Sequence, residues 1–151
     1  LKLIEELEES SVLSAHEAEL SLNPFANLIG IKIDRLANNY CRLSLVLDEK
    51  CLNYYGGVHG GVLATLADNC MGMALRGAGI QPITVELTVN YLRQPEIDDL
   101  LMAEGLIIHR GNTIVLAECA IKSRDLQIVA RGKGVFLNRG IRVNGKDNSS
   151  S

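Results

Sequence analysis

The chain has 151 residues, with 15 basic against 18 acidic side chains, a formal charge of −3 and 47% hydrophobic residues. That length suits one domain, able to bury about 68–70% of its unfolded surface around a single core. The mild acidity argues against a nucleic-acid partner, whose phosphates select a basic excess, and no apolar run is long enough to cross a bilayer.

The first twenty or so residues read as an acidic helical arm. Leu3, Ile4 and Leu7 share one face, and Ser14-Ala15-His16-Glu17 has capping-box spacing for a second short helix that Pro24 is expected to end. Period-two patterning follows. Ile29, Ile31 and Ile33 predict one half-buried strand and Cys41, Leu43, Leu45 and Leu47 a second, with Ala37-Asn38-Asn39 as the hairpin turn. A glycine-containing loop, Asn53 to Gly57, leads into a charge-poor segment from His59 to Arg76 that reads as a helix, with Gly77 placed to terminate it. Ile83, Val85, Leu87, Val89 and Tyr91 then alternate with polar residues. Three further strands are expected near 100–109, 113–122 and 126–137, turning at Arg110-Gly111-Asn112 and Ser123-Arg124-Asp125.

Connections this short imply an antiparallel sheet, and a helix poor in charge all the way round implies one that the sheet wraps. The expected fold is α+β, a curved antiparallel sheet around a long central helix. It spans residues 25–138, with a helical arm at 1–24 and a polar tail at 139–151 that reads as disordered. No basic segment precedes an apolar one as in a secretory signal. Cys41, Cys51, Cys70 and Cys119 form neither a CxxC pair nor a zinc-type spacing. Buried thiols in a cytoplasmic protein are expected, with no metal and no cofactor.

Between Lys50 and Arg76 the only formal charge is Asp68, in the middle of the predicted helix. Gly60, Ala64 and Gly72 share its face at successive steps of four residues, so the carboxylate stands on a stripe of small side chains with open space before it. A ligand or a second helix could fill that space, and an aspartate tied to a backbone amide or an arginine would look the same in sequence. At the helix start, Val58-His59-Gly60-Gly61 offers no Ser, Thr, Asp or Asn cap. Two bare glycine amides at the positive end of the dipole suit an oxyanion, although the glycines serve equally to permit a tight bend. Gly60 and Asp68 are separated by about 12 Å of helix rise, so one copy cannot bring both to one reacting carbon. Two copies packed antiparallel across a twofold axis can. If this constellation is catalytic, it therefore calls for a homodimer with two composite sites.

The pattern Asn53, six residues, His59-Gly60-Gly61 and then Asp68 resembles the hotdog-fold acyl-CoA thioesterases of the phenylacetyl-CoA and 4-hydroxybenzoyl-CoA type. The strand Thr84-Val85-Glu86-Leu87-Thr88-Val89-Asn90-Tyr91-Leu92-Arg93-Gln94-Pro95 is similar to that family's strand after the central helix. The resemblance implies hydrolysis of an acyl-CoA to free acid and coenzyme A. Asp68 would be base or nucleophile, the Gly60 amide would polarise the carbonyl, His59 would hold the thioester or the helix entrance, and Asn53 would orient water. Thr84 would join Asp68 from the same subunit, although strict alternation puts it on the face away from Ile83, Val85 and Leu87. Gly61 and Tyr55 would contact substrate. The Arg110-Gly111-Asn112 turn, with the basic excess of residues 121–146, would receive the coenzyme A phosphates. The expected assembly is a homodimer, paired again into a homotetramer, without nucleic-acid or membrane partners. A non-catalytic acyl-CoA sensor on the same fold is the alternative, and a hydratase would need an acid/base pair at a spacing not found here.

Overall fold

A computed structural model of the protein describes residues 23–140. The expected arm, except for its last two residues, and the expected tail, except for its first two, lie outside the described residues.

The described chain opens with a short helix, α1 (Pro24–Ile29). Pro24 begins this helix, and the short helix expected before it lies outside the described residues. Asn23 caps it by accepting a hydrogen bond from the Ala26 amide at 3.1 Å, and proline at the first helical position loses no bond because that N–H has no intrahelical partner. Gly30, at φ 86°, closes the helix in the left-handed region. Ile29 and Ile31 are therefore not strand residues, but both are buried. Apolar residues two apart fit this helix-to-strand junction as well as they fit a strand.

Strand β1 (Lys32–Ala37) turns through Asn38-Asn39 into β2 (Tyr40–Val46), with Asn39 at φ 67° as a tight hairpin requires. A single 3₁₀ turn, Glu49–Cys51, precedes the central helix α2 (Gly60–Gly77). After it come β3 (Pro82–Tyr91), β4 (Leu100–Arg110), β5 (Ile114–Lys122) and β6 (Ile128–Asn138). All pairings are antiparallel and the sheet order is β1-β2-β4-β5-β6-β3, so β1 and β3 are its edges.

α2 packs against all six strands. Leu66, Ala67, Cys70, Met71 and Ala74 meet Leu43, Leu45, Leu101, Val115, Ile121 and Phe136, all essentially inaccessible to solvent. Each large apolar side chain buried here stabilises the fold by about 1.5–3 kcal/mol. The helix lies close because the sheet gives way under it. A Cβ on Gly105 would sit 3.0 Å from the Cys70 carbonyl oxygen. Burial pushes the Cys70 thiol well above its ordinary range while its Sγ donates to the Cys41 and Ala103 carbonyls. All four cysteines are free and buried.

One expectation is refined at α2. The helix ends at Gly77, but that glycine is its last helical residue and not its cap. Ala78 is the C-cap, and Gly77 is glycine because a Cβ there would lie 2.6 Å from the Ala37 carbonyl oxygen. The stripe of small residues is open as expected: Gly60, Ala64, Asp68 and Gly72 are half-buried, and a Cβ on Gly72 would meet nothing within 4 Å.

Candidate active site

The loop before α2 is closed by its own backbone and by Asn53. The Asn53 side-chain carbonyl accepts from the Tyr55 and Gly57 amides at 2.9 and 3.1 Å, while the Asn53 backbone N–H donates to the Gly57 carbonyl at 2.7 Å. This is an Asx turn, in which asparagine replaces a backbone acceptor. Its oxygen is thereby committed to the loop, and what Asn53 can offer a water or substrate is its amide NH₂. Tyr55 stands exposed beside Tyr54, the two rings edge-to-face at 5.6 Å.

His59 caps α2, a role that its residue type did not advertise. Its Nδ1 accepts from the Gly61 amide at 2.8 Å, which places the ring proton on Nε2. The expectation of two bare glycine amides is thus corrected: Gly61 is satisfied within its own chain, and His59 holds the helix entrance. Gly60 remains open. Its amide has no partner among the described residues and lies at the positive end of an 18-residue helix.

Asp68 is half-buried on the stripe, and its Oδ1 accepts from the Thr84 hydroxyl at 2.8 Å. No cation pairs with it among the described residues. Thr84 reaches it through a break in the strand's alternation. In the β3–β6 ladder Thr84 faces Phe136 and Glu86 faces Val135, so Val85 is an extra, bulged residue. Directly opposed residues share a face, and Phe136 points into the core. Thr84 therefore lies on the helix side together with Leu87, Val89 and Tyr91, and not on the side that strict alternation assigned.

Two further residues hold the helix entrance and escaped the sequence reading. The Tyr91 hydroxyl donates to the Gly60 carbonyl at 3.2 Å, and the Gln94 side-chain amide donates to the Val58 carbonyl at 3.1 Å. The available signal was a polar residue immediately before Pro95, where the chain leaves β3.

The residues expected to meet coenzyme A phosphates do not gather beside Asp68. Arg110 lies at the far end of α2, where its Nη2 donates to the Ala78 carbonyl at 3.0 Å. Gly111 and Asn112 form the turn beyond it, and the Gly111 amide donates to the Ile114 carbonyl. Lys122 pairs with Glu104 at 2.8 Å and Lys133 with Glu118 at 3.2 Å, so part of the basic excess is neutralised on the sheet's outer face. A cavity of about 690 Å³ beside Gln94 contains Arg93 and Arg124, but also Glu96, Asp98, Asp99 and Asp125, a balance that disfavours a phosphate.

In the single chain, then, a carboxylate held by a strand hydroxyl and an open amide donor sit two turns apart on one helix. The sequence profile of the Thioesterase superfamily matches residues 55–130. A Halobacterium salinarum protein carrying an esterase name is 32% identical over 76% of this chain and 80% of its own. The acyl-coenzyme A thioesterase PaaI of Escherichia coli is 24% identical over 80% of this chain and 86% of its own. The solved E. coli PaaI structure superposes with a TM-score of 0.78 at 23% identity, covering 86% of this chain and 96% of that one, a likeness of fold. A hypothetical thioesterase from Streptococcus pneumoniae, solved with coenzyme A, superposes with a TM-score of 0.72 at 26% identity over 74% of this chain and 90% of that one.

Proposed function

The chain belongs to the thioesterase superfamily, and from that premise we propose that it hydrolyses an acyl-CoA thioester to a free carboxylic acid and coenzyme A in a composite site between two protomers. The observation that carries this reading is the division of labour along α2. Asp68, held by Thr84 and unpaired with any cation among the described residues, is separated from the open Gly60 amide by about 12 Å of helix rise. Neither half can act alone on one carbonyl carbon.

The exposed edge of β3 supplies the means of joining the halves. It is ten residues long, unpaired on one side, and bears exposed Val85 and Tyr91. An edge of this kind invites another strand. If β3 pairs antiparallel with its mate about Thr88, then Leu87 opposes Val89 and Glu86 opposes Asn90. The Val85 bulge then brings Thr84 opposite the mate's Tyr91 with both side chains on the helix face. That register sets each Asp68–Thr84 pair against the other protomer's Tyr91-bound Gly60. Without the bulge, the parity of the strand would turn Thr84 outward.

In such a site the Gly60 amide, aided by the helix dipole, stabilises negative charge developing on the thioester oxygen. Asp68 either takes a proton from a water whose oxygen attacks the carbonyl carbon, or attacks that carbon itself to form a mixed anhydride that water then hydrolyses to free acid and restored carboxylate. In both routes the C–S bond breaks, and Thr84 fixes which oxygen of Asp68 is presented. The Asn53 NH₂ is the remaining donor for a water. The thiolate of coenzyme A leaves and is protonated by solvent.

Thiol release from a panel running from acetyl-CoA to octanoyl-CoA and phenylacetyl-CoA tests the reading. Turnover by the wild type and a loss of orders of magnitude in Asp68→Asn, with fold and assembly retained, is the expected result. Binding of acyl-CoA without any thiol release would make the protein a sensor instead.

A further inference from the structure

The two peptides that flank the one bearing the Gly60 N–H are held from outside the helix, and we infer that Tyr91 and Gln94 are positioning residues that aim the Gly60 amide at the thioester. This inference rests on the composite site proposed above. The carbonyls on either side of His59, those of Val58 and Gly60, are taken by Gln94, three residues beyond β3, and by Tyr91, the last residue of β3, respectively. On the other side the His59 amide donates to the Cys51 carbonyl at 2.7 Å, and Val58 bridges to Leu52. The His59 ring closes off Gly61. From the Val58 carbonyl to the Gly61 amide, each backbone donor and acceptor is thereby tied down, the His59 carbonyl by the Val62 amide, except the Gly60 N–H.

The Tyr91 ring adds a wall. A Cβ on Gly60 would lie 3.4 Å from its Cε1 and Cζ atoms, so ring and glycine backbone are already near contact. The same strand fixes the other half of the chemistry, because Thr84 bonds Asp68 seven residues earlier. β3 is thus attached to α2 at both working points and sets their spacing. A donor that must meet charge appearing only in the transition state gains from such prior alignment, since an error of about 1 Å can cost on the order of 10²-fold.

The test uses the full-length protein and the acyl-CoA that the wild type turns over fastest. Tyr91→Phe keeps the ring and removes only the donor. It should lower kcat about five- to tenfold, leaving KM, the thermal midpoint and the pH profile unchanged. Gln94→Ala should move kcat in the same direction, again without a change in KM. If both variants retain the wild-type kcat while Asp68→Asn is inactive, the inference fails and the composite site stands. If Asp68→Asn is active, the underlying reading fails. An increase in KM at constant kcat would make these residues substrate contacts and overturn the positioning role, as would loss of an alkaline limb in Tyr91→Phe.

Discussion

A composite site can be rebuilt from two inactive chains, and the structure supplies a clean pair of lesions. Asp68→Asn removes the carboxylate. Gly60→Pro removes the amide donor, and the local backbone accepts it. Gly60 is the first residue of α2, where proline is well tolerated, and His59 before it is extended at φ −67° and ψ 129°, as a residue preceding proline should be. No hydrogen bond is lost with the N–H, because that group has no partner among the described residues. Loss of a single oxyanion donor lowers turnover by about 10²–10³-fold. Each parent should therefore be folded and nearly inactive. When the two are co-expressed and assort at random, half the carboxylates and half the donors are intact. About a quarter of the sites then draw an intact Asp68 from one chain and an intact Gly60 from the other. Thiol release by the mixed product should recover to about one quarter of the wild-type rate, a figure that pairing of dimers into tetramers does not alter. Activity no greater than that of the parents would refute the placement of the two halves on different protomers.

Three further outcomes follow from particular contacts. Thr88→Lys places two ammonium groups face to face at the proposed twofold axis and should shift the protein to monomer in light scattering, with thiol release falling in step although Asp68 and Gly60 are untouched. Gly77→Ala sets a Cβ 2.6 Å from the Ala37 carbonyl oxygen, so overpacking of about 1–3 kcal/mol should outweigh the helix-propensity gain of about 1 kcal/mol and lower the urea midpoint. On the outer face, Lys122 and the Tyr40 hydroxyl hold the Glu104 carboxyl below its ordinary 4.5, while burial and the Glu104 carboxylate push Tyr40 up to about 12. The Glu104 contribution is complete above pH 4.5 and is lost as pH falls through the lowered value. The Tyr40 contribution is complete below pH 10.0 and is lost as pH rises towards about 12. Urea unfolding of wild type and Glu104→Gln across both windows should show the variant with the flatter acid limb. Identical acid limbs would contradict the assignment.

Much of this protein is legible in one dimension because its regular elements carry local signals. Period-two alternation marked β2 to β6, the charge-poor run marked α2, and the helix rise between Asp68 and Gly60 called for a second chain on the condition that the two act on one carbonyl. Where the local signal had two physical meanings, the tertiary contacts chose between them. Pro24 can end a helix or begin one, and the Asn23 cap makes it begin. A histidine before two glycines can leave the amides bare or cap one of them, and its ring does the latter. Thr84 was assigned to the wrong face because alternation counts residues, whereas a β-bulge adds one residue that only the partner strand β6 reveals. Tyr91 and Gln94 were silent for a related reason. Their hydrogen bonds run to carbonyls more than thirty residues away, and a side chain's composition carries no record of the distant backbone group it will meet. Periodicity is a property of the chain with itself, while a bulge, a cap donated by an unusual residue and a long-range clamp are properties of the chain with its folded neighbours.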